Sequence, residues 1–320
     1  MNKGIAVIGS SIVDNIKEIE AYPNVGELSQ IKSIGGAVGG CVANDSIDLK
    51  TICKDIDIYA VGKIGEDANG QYLVEQLRKK GVDTSHIVVS KDENTAFTDV
   101  MYIRGGERTF FSYMGASATF GYDDIDFEKL NVDMAHIGYF LLLDKIDNGD
   151  GEKILKELQR RGIKTSIDLV SEKSDRYKLV VPCLKHVDNL IINEKEGGQL
   201  AGIDPKPENI RAICTKLKEY GVKERVIIHM PESGYCLSDN GFFEVPSYIC
   251  PKEYIKGSNG AGDAFCSGAL IGIYKGWHEI EILEFGSAAA LVSLGSADAV
   301  SGMKSEKEIK EFCKNFTRRK

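Results

Sequence analysis

The chain has 320 residues, 42% of them hydrophobic, and 40 Lys and Arg stand against 48 Asp and Glu for a formal net charge of −8. That length suits one large α/β domain or two smaller ones. The acidic balance argues against a nucleic acid partner, which needs a basic face, and no apolar run is long enough to span a bilayer. The one basic cluster, Arg318-Arg319-Lys320, reads as a frayed tail.

Met1-Asn2-Lys3 leads straight into an apolar run, without the segments of a signal peptide. The eight cysteines form no C-x-x-C pair and the histidines no H-x-x-x-H spacing, so a zinc site is not expected. Free thiols in a reducing cytoplasm are the expected state.

In chain order, Ile5 to Ile8 is a buried strand, and the Gly9-Ser10-Ser11-Ile12 that follows lacks the G-x-G-x-x-G of a dinucleotide-binding oxidoreductase. Ile16 to Ile34 has no helical stripe and reads as extended. Ile56 to Val61 is a strand, and Glu66 to Lys80 a helix capped by Gly81. Thr95 to Ile103 and Arg108 to Tyr113 read as a hairpin across Arg104-Gly105-Gly106-Glu107. Beyond it a helix from Gly151 to Arg161 stops at Gly162, followed by strands at Thr165 to Asp168 and Asn189 to Ile192. A helix from Pro207 to Tyr220 stops at Gly221, and the strand Val226 to Ile228 follows. This alternation predicts an α/β fold, a doubly wound, mostly parallel sheet with helices on both faces. The two β-rich stretches, about 16–36 and 94–115, fall outside the rhythm and predict a small sheet standing off a single domain that spans 1–320.

The chemistry concentrates at 257–265, Gly-Ser-Asn-Gly-Ala-Gly-Asp-Ala-Phe, which feeds the apolar, small-residue helix Ala264 to Tyr274. A glycine-rich turn at a helix start leaves backbone N–H groups unpaired, and the helix dipole adds positive character, so Gly260, Ala261 and Gly262 form a candidate anion site. Asp263 in the first turn is expected to be ionised at neutral pH and able to take a proton from an attacking hydroxyl. An ordinary strand-to-helix turn with an N-terminal acid would show the same short string.

Asn259-Gly260-Ala261-Gly262-Asp263-Ala264-Phe265 resembles the second signature of the ribokinase-like (PfkB-type) carbohydrate kinases. Gly39-Gly40-Cys41-Val42-Ala43-Asn44 resembles the first, Val61 to Asp67 with Gly70 the block after it, and Asn193-Glu194-Lys195-Glu196 the N-x-x-E motif. The likeness runs from about residue 4 to residue 300. It implies a sugar kinase fold with a β-sheet lid that often pairs two subunits, ATP as phosphoryl donor, and magnesium. It assigns Asp263 as catalytic base in an anion hole of Gly260 to Gly262, and Asp14, Gly39, Gly40, Asn44 and Ser117 to the sugar. Asn193 and Glu196 fall to the nucleotide phosphates, Glu196 acting on magnesium through water, and His229, Gly234, Ser287 and Ala288 to the nucleotide.

From the residues alone, Asp14 is equally a solvated turn acid, Asn44 a helix cap and the run from Ala288 a packing stripe. Arg104, Arg108, Phe110, Phe111 and Tyr113 either close over substrate or face solvent and pack the lid. The chain departs from the family at Gly257-Ser258, where relatives carry Asp-Thr beside a monovalent cation, which argues against potassium activation. It departs again in Leu169-Val170-Ser171, where many relatives have an asparagine two positions after Asp168, and at Ser117, where sugar-binding relatives often carry asparagine. A nucleoside kinase of the same superfamily and a non-catalytic sugar-binding protein of the same fold are the rival readings.

Overall fold

The computed structural model describes residues 3–106, 108–172 and 174–320; Glu107 of the predicted hairpin turn lies outside them. Strand β1 (Ile5–Ile8) is wholly buried and sends Ile5 and Val7 into one core and Ala6 and Ile8 into the other, the alternation of a strand covered on both faces. The chain then leaves the domain through β2 (Ile12–Ile19) and β3 (Ile31–Gly39) and returns in helix α1 (Gly40–Ile52). Strand β4 (Ile58–Gly65), α2 (Ala68–Lys79) and β5 (Asp83–Ser90) extend the main sheet. A second excursion, β6 (Ala96–Tyr102) and β7 (Arg108–Tyr113), ends at the short α3 (Gly115–Thr119).

The second half is more regular. Strand β8 (Met134–Phe140), α4 (Gly151–Arg160), β9 (Lys164–Leu169), β10 (Asn189–Asn193), α5 (Glu194–Ala201), α6 (Ile210–Glu219) and β11 (Arg225–His229) alternate as expected. They are followed by β12 (Ser233–Ser238), β13 (Gly241–Pro246), α7 (Ala261–Tyr274), α8 (Glu279–Ser293) and α9 (Glu306–Cys313). The nine-stranded sheet runs β13-β12-β11-β10-β9-β8-β1-β4-β5, parallel except for the β11–β12 and β12–β13 pairs. Helices α1, α2 and α7 to α9 pack on one face and α4 to α6 on the other. The strand order reverses at β1, so the crevice lies outside the carboxyl ends of β1, β4 and β8 to β11.

The two β-rich excursions form the separate four-stranded sheet β3-β2-β6-β7. Its reach exceeds the expected segments: β2 begins at Ile12 and β3 continues to Gly39. Asp14 therefore sits inside β2, not in a loop at the end of β1. A further correction concerns the C-terminus. Residues 317–319 run antiparallel to 247–249, with Ile249 N donating to Thr317 O and Arg319 N to Ser247 O, each at 2.8 Å. The Arg318 guanidinium donates to Pro246 O at 2.7 Å and covers the Tyr248 ring, so this tail is a docked edge.

Candidate active site

Helix α7 starts on Gly260, whose φ of +79° suits glycine and whose close approach to Ala299 leaves no room for a Cβ. The Ala261 amide turns back on Ser258 O at 3.3 Å. The amides of Gly262 and Asp263 have no acceptor among the described residues, so the anion site is carried by these two more than by Ala261. Gly262 leaves open space toward the cleft, its nearest neighbour at a notional Cβ being His229 Cε1 at 3.7 Å.

Asp263 is buried and held from two sides. Asn44, inside α1 rather than capping it, donates from Nδ2 to Oδ2 at 2.9 Å. Tyr139 donates its hydroxyl to both carboxylate oxygens, at 2.9 and 2.8 Å. Burial, and then the nearby Asp168, raise the Asp263 carboxyl to about 6, against the lowering by its Tyr139 and Asn44 hydrogen bonds. At about 6 the carboxyl stays mainly ionised at neutral pH, with burial working against the helix start that favours its charge.

Tyr139 carried no signal in the sequence. It lies near the end of β8 with a φ of +61°, and its amide donates to Asp168 Oδ1 at 2.5 Å. A non-glycine residue held in the left-handed region marks a functional position when its surroundings fix it, as Asp168 and Asp263 do here.

Gly40 has a φ of +77° and approaches Ser10 O so closely that a Cβ would lie 2.5 Å from it. A Cβ at Gly39 would lie 3.0 Å from Asp14 Oδ2, so the glycine leaves room for that carboxylate. Burial raises the Asp14 carboxyl, and a hydrogen bond with Thr98 offsets part of the rise. Ser117 is different. It is fully buried, and its hydroxyl bridges the amide and carbonyl of Ser11, which makes it a support of the loop after β1. In the lid, Arg104 is exposed and pairs with Glu18 at 3.2 Å, and Arg108 is exposed as well.

A cavity of about 540 Å³ joins one of about 350 Å³ through shared walls at Ser171, Asn193, His229 and Gly262. Asn193 caps α5, and Glu196 three residues on closes the capping box. Glu196 Oε1 accepts from Ser171 Oγ and Asn193 Nδ2 at 2.7 Å each, and burial raises its carboxyl to about 7. Ser171, singled out in the sequence only as a departure, therefore belongs to the site. His229 stacks on Phe265 at 4.8 Å and is pushed down to about 4 by burial, so it is neutral.

Two nucleotide expectations are corrected. Gly234 is buried in β12 against Phe265 and Leu283, away from the cavity. Ala288 faces α9, where Cys313 contacts its carbonyl. The stripe of α8 that lines the larger cavity is Ser287, Ala290, Leu291 and Leu294, one helical face at i, i+3, i+4 and i+7. Arg319 of the docked tail also lines it.

The description of the pfkB family carbohydrate kinases matches residues 2–306. Ribokinase of Arabidopsis thaliana is 25% identical over 313 residues, 97% of this chain and 81% of that protein. A 5-dehydro-2-deoxygluconokinase of Clostridium perfringens is 25% identical over 298 residues, covering 90% of this chain and 87% of that protein. The solved structure of A. thaliana ribokinase complexed with ribose and ATP superposes with a TM-score of 0.85 at 23% identity, over 98% of this chain and 99% of that one. An anion loop at the head of a buried helix, an aspartate beside it and a family match across almost the whole length converge: the chain belongs to the pfkB family of carbohydrate kinases.

Proposed function

We propose that the protein transfers the γ-phosphoryl group of ATP to a hydroxyl of a sugar or sugar-like molecule, with Asp263 as general base. The observation that carries this reading is the pair of unpartnered amides at Gly262 and Asp263, beside a buried carboxylate whose affinity for protons lies near neutrality. The amides receive the charge that grows on the phosphoryl oxygens. Asp263 takes the proton of the hydroxyl as its oxygen attacks phosphorus, and a lid closing over the cleft excludes water that would otherwise accept the phosphoryl group. Asn44 supports the same role, since its Oδ1 is a buried acceptor without a donor among the described residues, which a sugar hydroxyl would supply. Asp14 and the open face of Gly39 supply a second polar contact to the sugar.

Ser287 and the apolar residues Ala290, Leu291 and Leu294 suit an adenine ring, with Asn193 toward the phosphates. The residues fit magnesium held through water: Glu196 and Asn193 face the cavity that contains Asp263, and the Glu196 oxygens are already hydrogen-bonded. Magnesium would neutralise phosphate charge there. At Gly257 a Cβ would lie 3.0 Å from Ser296 O, and no carboxylate is supplied at that position, so potassium should alter rates little. Exposed Phe110, Phe111 and Ile34 favour a homodimer formed through the lid.

The test is a coupled ADP-release screen with magnesium ATP over pentoses, hexoses, sugar acids and nucleosides, beginning with ribose. Turnover confined to nucleosides would move the substrate to that class. No turnover on any class would leave a sugar-binding protein of the same fold.

A further inference from the structure

Beneath the catalytic base, side chains from three other positions turn toward one buried nitrogen. His136 of β8 is fully buried, and its Nδ1 is bonded to Ser166 Oγ at 2.9 Å. Its Nε2 lies 3.7 Å from Asp45 Oδ2, 3.7 Å from Asp168 Oδ2 and 3.7 Å from Cys266 Sγ. Both carboxylate distances exceed the roughly 3.2 Å limit of an N–H···O bond. A single Nε2 proton could in any case serve only one of the three.

Asp45 is the least satisfied member. It is fully buried, its Oδ1 takes a hydrogen bond from Ser267 Oγ at 3.3 Å, and its Oδ2, aimed at the histidine, has no hydrogen-bond partner among the described residues. Leaving such an oxygen buried and unpaired is costly. A cation among His136, Asp168 and Cys266 would satisfy those three groups at once, with the unpartnered Asp45 Oδ2 beside it. Tetrahedral ligands at about 2.0–2.3 Å from zinc stand roughly 3.3–3.7 Å from one another, close to the 3.7 Å from His136 Nε2 to Asp168 Oδ2 and to Cys266 Sγ. The donor atoms of His136, Asp168 and Cys266 already lie within 4.8 Å of one another. The Ser166 contact fixes Nδ1 and leaves Nε2 facing the centre, as the outer contact of a metal-bound histidine does. Asp168 and Cys266 also line the smaller cavity of the cleft, which gives an ion a way in.

We propose that His136, Asp168 and Cys266 form a three-ligand site for a divalent transition metal, zinc above all, which ties β8, β9 and α7 together under Asp263, with Asp45 of α1 beside it. The mixed nitrogen, oxygen and sulfur set disfavours magnesium, which takes oxygen. Sequence spacing could not announce it, because each ligand comes from a different element.

The test uses the full chain without a histidine tag, purified and dialysed in the presence of magnesium. Elemental analysis should find about one zinc per chain, and Asp263→Asn, outside the ligand set, should retain it. After the metal is stripped, cobalt(II) should give the visible absorption of a tetrahedral ion together with a thiolate-to-cobalt band. Cys266→Ser should remove the thiolate band. Asp168→Asn keeps the side-chain shape and should weaken cobalt binding by more than about tenfold, a guard against loss of folding in His136→Ala. Metal well below one per chain with no tetrahedral cobalt spectrum would overturn the proposal, as would a thiolate band that survives in Cys266→Ser. Either failure would leave the kinase reading standing.

Discussion

The floor of the cleft, where the start of α7 carries Asp263, is buried and cross-tied, whereas the four-stranded sheet is open to solvent along a whole strand. Asn44, Asp168 and Asp263 come from α1, β9 and α7, are 6%, 8% and 8% exposed, and meet through or around Tyr139. In β7 every residue is exposed, with Phe110 at 58% and Phe111 at 60%. A floor of this kind suits the base role proposed for Asp263, since a base must be held to a fraction of an ångström of its working place. A cover that opens and closes comes from the weakly packed end of a molecule's stability range. Substitutions in the floor should therefore act on kcat, and substitutions in the cover on KM and assembly.

Asp263→Asn breaks the floor at its centre. We expect kcat to fall at least about a thousandfold, with ATP affinity measured by calorimetry changing less than about threefold. Near-normal turnover would remove Asp263 from the base role. Tyr139→Phe is the next largest: kcat should fall roughly tenfold to a hundredfold, because the residue orients the base without being it. It also moves a pH profile in a defined direction. In the chain stripped of transition metal and assayed with magnesium ATP, Asp263 is a competent base only when deprotonated, so activity should drop as pH falls through about 6. The Tyr139 hydroxyl favours the charged carboxylate, so its loss should carry that acid limb to higher pH. An unmoved limb would mean that another group sets it.

The same contrast separates what the sequence disclosed from what it hid. Local features were legible: glycines at helix ends, the alternation of strand and helix, and the turn before α7, each read from a few neighbouring residues. The lid was legible as two β-rich stretches that broke the rhythm. What stayed hidden was every contact between distant elements. Tyr139 looked like one more aromatic in a strand, and only its backbone angle and its reach to Asp263 mark it. Ser117 is assigned to the sugar only by its place in the family pattern, and its bonds to Ser11 join elements that no local string connects. The face of α8 was misread because a run of alanines has no polar side to set its rotation. Asp45 and Asp48 carry no signal of their own in the sequence, and the structure buries both in α1.

The cover gives a smaller expected effect. Replacing its two most exposed aromatics together, Phe110→Ser with Phe111→Ser, should leave kcat within about twofold while raising KM for the sugar about threefold to tenfold. Light scattering should show the mass falling from two chains to one. A large loss of kcat with KM unchanged would place these residues with the floor, and the comparison would fail.

The smallest effect tests the floor from behind. Asp48 is fully buried in α1, and neither carboxylate oxygen has a hydrogen-bond partner among the described residues. Burial, followed by the charges of Asp263 and Asp298, raises its carboxyl well above the usual range. A group raised in this way contributes stability that is complete below its unfolded pKa and is lost as pH rises through the folded value. At neutral pH and above, then, Asp48 costs the protein stability, either by holding a proton the unfolded chain would release or by burying a charge. Asp48→Leu keeps the forked outline of the side chain and removes the unpaired oxygens, a change that is neutral to stabilising when both partners of a buried polar contact are absent. We expect a gain of about 1–3 kcal/mol, seen as a rise in Tm of several degrees. The gain should be larger at pH 8 than at pH 5. A loss of stability that is equal at both pH values would show that Asp48 has a partner the floor depends on.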